Sequence, residues 1–151
     1  MGFVTFAQFI RRFNALRRIE IASPAPPVDA RLAALQTWAG GIEAIAGSMP
    51  VPASEDASFR RYFRLQADQE SFIVMDAPPE QENCLPFVRV AGYFEAMRLN
   101  APRIIEANLE EGFLLLTDLG SRQYLEELRE DRSSAPGLYA DALGALLTMQ
   151  R

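Results

Sequence analysis

The 151-residue chain contains no histidine and no lysine, and these two absences remove whole classes of chemistry. Without an imidazole there is no Ser-His-Asp triad, no histidine base and no histidine metal ligand. Without lysine there is no Schiff base, no lysine of a phosphate-binding loop and no strand-three lysine of the protein-kinase kind. All 15 basic residues are arginine, a permanently charged fork of donors rather than a titratable amine. The single cysteine, Cys84, allows neither an internal disulfide nor a cysteine-built metal site, and so points to a reducing, cytoplasmic setting. Its simplest role is that of a small apolar residue at a helix start. A net charge of -5 argues against a general polyanion binder, so no nucleic-acid partner is expected.

What is present begins with enough apolar residues, 49%, for one globular domain with a true core. Residues 58–66 alternate, with Phe59, Phe63 and Leu65 on one face and Ser58, Arg60, Tyr62 and Arg64 on the other, the period of a half-buried strand. The polar turn Ala67–Glu70 leads to a second strand over 71–76, which Ala77-Pro-Pro79 terminates. Phe87, Val90, Ala91, Phe94 and Met97 recur at helical spacing and predict a helix over Asn83–Leu99. A second hairpin joins Arg103-Ile-Ile105 to Phe113-Leu-Leu-Leu116, whose unbroken apolar run reads as buried on both faces. With a first strand near Met49–Ser54, the expectation is an antiparallel sheet carrying one packed helix.

Two flanking regions read differently. Phe6, Phe9, Ile10, Phe13 and Leu16 oppose Arg11, Arg12, Arg17 and Arg18, which predicts a basic amphipathic helix. It reads as a membrane-surface segment, a transit-like segment or a plain packing helix, and it is too short and too charged to span a bilayer. Ser23-Pro-Ala-Pro-Pro27 follows as a stiff linker. Asp29 is expected to cap a helix over Ala30–Ile45, weakened by Gly40-Gly41, with Trp38 as its core anchor. At the other end, residues 122–130 and 137–150 read as two helices, the second with a stripe of Leu138, Ala142, Leu146 and Met149.

Three segments together, Ser58-Phe-Arg-Arg-Tyr-Phe-Arg64, Val74-Met-Asp-Ala-Pro-Pro79 with Gln81-Glu-Asn83, and Leu114-Leu-Leu-Thr-Asp-Leu-Gly120, carry a resemblance. The chain resembles the aminoglycoside phosphotransferase-like kinases over about residues 28–151, and within them the bacterial kinases of N-acetylmuramate and N-acetylglucosamine. The resemblance implies an α+β, protein-kinase-like N-terminal lobe. In domain terms it implies an extension and linker over 1–27, a nucleotide-binding lobe over 28–118, and a hinge with the start of a second lobe over 119–151. It further implies ATP, with magnesium in the complete enzyme, and a sugar hydroxyl as acceptor.

Under that resemblance Leu116, Thr117, Asp118 and Leu119 form the hinge that receives adenine. Read by themselves, they are equally a buried strand ending in an Asp-Leu-Gly turn. The lysine of the resembled fold falls at Met75 or Asp76, and neither is basic. The candidates to meet the phosphates are then the loop residues Ser54, Asp56 and Ser58 and the arginines beside them, Arg60 and Arg61 with Arg64 further along, against the simpler reading of a solvated strand face. Asp76 reads as a turn cap ahead of Pro78 or as a neighbour of a metal-nucleotide complex. The family's catalytic His-x-Asp loop and second Asp would lie beyond the hinge, so no catalytic residue and no metal ligand is assigned here. The expectation is a chain cut short, inactive alone, that self-associates through its hinge helices. A non-catalytic module binding a protein partner or a membrane surface is the alternative.

Overall fold

The computed structural model describes residues 28–55 and 58–150. The expected basic helix, the Pro-rich linker and the candidate Asp56 lie outside the described residues. The chain divides into two units, residues 1–31 and 32–151, and the sheet belongs entirely to the second.

Helix α1 (Val28–Gly40) is followed by a 3-10 turn at Glu43–Ile45. The expected helix ran on to Ile45 with Asp29 as its cap. Instead it begins at Val28, which puts Asp29 inside the first turn, and it stops at the Gly40-Gly41 pair, where two residues without side chains make helix continuation costly. Strands β1 (Val51–Glu55), β2 (Arg61–Ala67) and β3 (Glu70–Asp76) form a meander, helix α2 (Leu85–Ala96) crosses over, and β4 (Ile104–Asn108) and β5 (Phe113–Thr117) close the sheet in the order β1-β2-β3-β5-β4. Every pairing is antiparallel. The architecture is α+β, as the sequence pattern and the resemblance implied. Helix α3 (Tyr124–Glu130), a 3-10 turn at Arg132–Ser134 and helix α4 (Ala135–Met149) follow.

The β2–β3 turn is two residues, Asp68 and Gln69, with Asp68 at φ 52°, a left-handed conformation that Asp tolerates better than most side chains. Strand β2 starts three residues later than its alternating pattern suggested. The Ser58 hydroxyl accepts the Arg60 backbone N–H at 3.2 Å, a local turn that competes with the ladder, so Phe59 lies exposed rather than sharing the buried face of Phe63 and Leu65.

The sheet is covered on both faces. Phe63, Leu65, Phe72, Val74, Phe113 and Leu115 pack with Leu35, Ala39 and Ile45, and the Trp38 ring lies 5.7 Å from that of Phe113. On the other face Met75, Leu114 and Leu116 pack with Ala77 and Cys84, joined by Tyr62, Ile73, Phe87 and Val88. Strand β5 therefore sends alternate side chains into two cores, which is why Phe113–Leu116 is an unbroken apolar run. Helices α3 and α4 bury none of their residues, and Tyr139, Leu143, Leu146 and Leu147 stand exposed on α4.

Candidate functional site

Where β5 leaves the sheet, a cavity of about 400 Å³ opens against the face of the second core. Its floor is Ile73, Leu116 and Phe87, its sides are Tyr62 and Arg64 from β2, and its rim runs along Thr117, Asp118, Leu119 and Gly120 to Gln123. Strand alternation places these groups together: Tyr62 pairs with Met75 across β2–β3 and Ile73 with Leu116 across β3–β5, so their side chains share one face. The floor is apolar, and the polar groups are confined to one edge.

That edge is fixed by Asp118. Its carboxylate, only 3% exposed, accepts from Arg64 Nε at 2.6 Å and a second guanidinium nitrogen at 3.2 Å, from Ser71 Oγ at 2.8 Å and from the Gly120 N–H at 2.8 Å. The Arg64 guanidinium, above all, holds the Asp118 pKa below the usual carboxylate range, against the opposing effect of burial and with help from Gly120 and Ser71. Arg64 is itself raised by the same partnership. The clamp ties β2 and β3 to the segment after β5. It consumes the Asp118 side chain at the rim where Leu119 and Gly120 follow. Among the described residues, no hydrogen bond is made by the N–H or C=O of Leu119.

The sequence candidates separate into groups. Leu116, Thr117, Asp118 and Leu119 all border the cavity. Ser54 belongs to β1 and Ser58 is exposed next to Arg60. Arg60 and Arg61 point to opposite faces. Arg61 pairs with Asp76, its cross-strand partner, through Nε at 2.8 Å, and its guanidinium lies 5.6 Å from the Phe63 ring on the α1 face. Asp76 is fully buried in this pair, a role that neither reading of it from sequence contained. Arg60 instead lies over the Phe87 ring at 5.8 Å and reaches Glu82 Oε2 at 3.2 Å, on the cavity side. Met75, where the resembled fold places its lysine, is fully buried in the second core. Sequence reasoning named Arg64 only beside the phosphate candidates and missed Tyr62, Ile73 and Phe87 as lining groups. The shared face of Tyr62 and Arg64 was the only available signal, since nothing local says which face of a doubly covered sheet holds a cavity.

An antiparallel five-stranded sheet with a helix inserted before its last hairpin, and a cavity at the exit of the last sequential strand, is the architecture of the small lobe of kinase-like phosphotransferases. The chain belongs to the phosphotransferase enzyme family, whose model matches residues 51–151. It is 52% identical over 101 residues to the N-acetylmuramate/N-acetylglucosamine kinase of Pseudomonas aeruginosa, covering 67% of this chain and 29% of that protein. It is 46% identical over 138 residues to the kinase of the same name from Pseudomonas putida, covering 83% and 40%. Its identity to the Neisseria meningitidis kinase of that name is 33% over 102 residues, covering 66% of this chain and 30% of that protein. The chain spans 29% to 40% of the length of the two Pseudomonas relatives.

Proposed function

We propose that the chain is the nucleotide-gripping lobe of an ATP-dependent kinase acting on the anomeric hydroxyl of a cell-wall amino sugar in the cytoplasm. The observation that carries the nucleotide part is the cavity itself. It has an apolar floor of Ile73, Leu116 and Phe87 suited to a purine ring, beside a rim whose Leu119 main chain keeps one donor and one acceptor free among the described residues. The choice of sugar rests on the names of the relatives, and the anomeric position on the family resemblance. ATP brings the transferable phosphoryl group, and this chain's residues bind and orient it. Arg60 faces the phosphates in this reading, whereas Arg61 is committed to Asp76 on the other side of the sheet. Among the described residues no cluster of three acidic or sulfur ligands could hold a metal, so magnesium is assigned no ligand from them. No described helix is long and apolar enough to cross a membrane.

Calorimetry on the full gene product tests the reading with adenosine and ATP as ligands. Both are expected to bind, and Ile73→Trp, which places an indole in the cavity, is expected to weaken both by about tenfold or more, since base burial supplies much of the affinity. Failure of the wild type to bind either ligand, or unchanged binding by Ile73→Trp, overturns it. Phosphate transfer from ATP to N-acetylmuramate or N-acetylglucosamine, read against a boiled control, tests the acceptor. The exposed apolar α4 residues favour self-association of the chain, which sedimentation over a concentration series would register as a rising mass.

A further inference from the structure

The three arginines around β2 are not equivalent in what they have left to offer. Arg61 is spent on Asp76 and Arg64 on Asp118. Arg60 has one guanidinium nitrogen on Glu82 at 3.2 Å and also interacts with Tyr62, while its Nε is buried with no hydrogen-bond partner among the described residues. A buried donor without an acceptor is costly, and an oxygen of a bound ligand is one group that would satisfy it.

The surroundings of Arg60 hold it for such a task. Phe87 lies beneath the guanidinium at 5.8 Å, and Phe87 and Tyr62 both line the cavity. Burial draws the Arg60 pKa down, but the hydrogen bond with Tyr62 and the charge of Glu82 outweigh it and hold the group above the ordinary arginine value. The side chains of Arg60 and Glu82 are 25% and 17% exposed, so the pair is partly screened from water without being sealed from it. Glu82 stands just ahead of α2, 22 residues from Arg60, so the contact exists only once the helix has docked on the sheet.

We infer that Glu82 is a positioning residue that holds Arg60 against Phe87 so that its guanidinium meets the phosphates of the bound nucleotide. The chain thus anchors phosphate with an arginine from the entrance of β2 and a carboxylate ahead of α2, in place of a lysine on β3. Arginine suits the task because its fork can bind Glu82 with one edge and a phosphate oxygen with another. This inference rests on the nucleotide reading of the cavity.

A double-mutant cycle on the full gene product, with ATP and adenosine as ligands, separates the two. Arg60→Ala is expected to weaken ATP binding by about 10- to 150-fold and to leave adenosine within about twofold, as for loss of one charge-assisted contact. Arg60→Lys should recover part of that loss. Glu82→Gln is expected to weaken ATP by about 3- to 30-fold with adenosine unchanged, because the guanidinium stays charged but loses its fixed geometry. Above all, Arg60→Ala/Glu82→Gln should be no weaker than Arg60→Ala alone, the non-additivity of a residue that acts through another. Unchanged or tighter ATP binding by Glu82→Gln overturns the inference. So does an additive loss in the double variant, which would mean that Glu82 acts on the nucleotide complex itself. Should the wild type fail to bind adenosine, the nucleotide reading falls first and this inference with it. Normal adenosine binding with ATP affinity indifferent to Arg60 defeats this inference alone.

Discussion

Asp118→Ala is expected to lower the stability of the folded unit by about 2–3 kcal/mol and its Tm by roughly 5–10 °C. The carboxylate is 3% exposed and accepts from three residues, so its removal leaves the Arg64 charge, the Ser71 hydroxyl and the Gly120 N–H without their partner. Breaking a fully buried pair costs about 3–5 kcal/mol, but Arg64 is 32% exposed and regains water, which brings the figure down. Adenosine affinity should fall as well, because the rim that borders the cavity loses its anchor to β2 and β3. A pH series on Asp118→Asn gives a second check. The folded-state pKa of Asp118 is depressed, so its contribution is present above the unfolded value of about 3.9 and is lost as pH falls through the folded value. The stability gap between wild type and Asp118→Asn should therefore be constant near neutrality and close in acid. Chemical denaturation at each pH measures it, and a gap that persists at the lowest pH would mean that the Asp118 charge contributes nothing.

Gly112→Ala is expected to cost about 2–5 kcal/mol, a larger loss than the absence of a side chain in a hairpin turn suggests. Gly112 has φ 73°, and a Cβ there would lie 1.9 Å from the Ala77 carbonyl oxygen and 3.3 Å from Pro79 Cδ. The Ala77 N–H also donates to the Gly112 carbonyl at 2.9 Å, so the β4–β5 turn is stapled to the end of β3 and has little freedom to retreat. The left-handed conformation alone costs roughly 1–2 kcal/mol for alanine, and forcing the two backbones apart adds about 1–3 kcal/mol. Gly120 supplies the control. It has φ 87° but nothing within 4 Å of its Cβ position, so Gly120→Ala should lose only the conformational part, roughly 1–2 kcal/mol. Equal losses at the two glycines, measured by denaturant unfolding, would show that the close approach to Ala77 carries no weight.

Much of this protein was determined by local sequence. The alternation over β2, the apolar run of β5 and the three- and four-residue spacing around Phe87 to Phe94 specify strands and a helix through side-chain period alone, and they do so whatever lies nearby. Element ends were less legible where a local hydrogen bond or a glycine pair decided them, as at Ser58 and at Gly40-Gly41. The cavity border at Leu116–Leu119, floor and rim together, was legible as the place where a buried strand must end, because the apolar run gives way there to an Asp-Leu-Gly turn. What the tertiary structure decided was partnership. Arg60, Arg61 and Arg64 are near-identical signals in a string of letters, yet one meets Glu82, one Asp76 and one Asp118, at separations of 22, 15 and 54 residues. Strand parity could send Arg60 and Arg61 to opposite faces, but it could not say which face held the cavity, since both are covered by apolar side chains. The choice depends on where α2 docks and where the chain leaves β5. Those positions are fixed by packing between segments far apart in sequence, and packing of that kind leaves no period for a local reading to find.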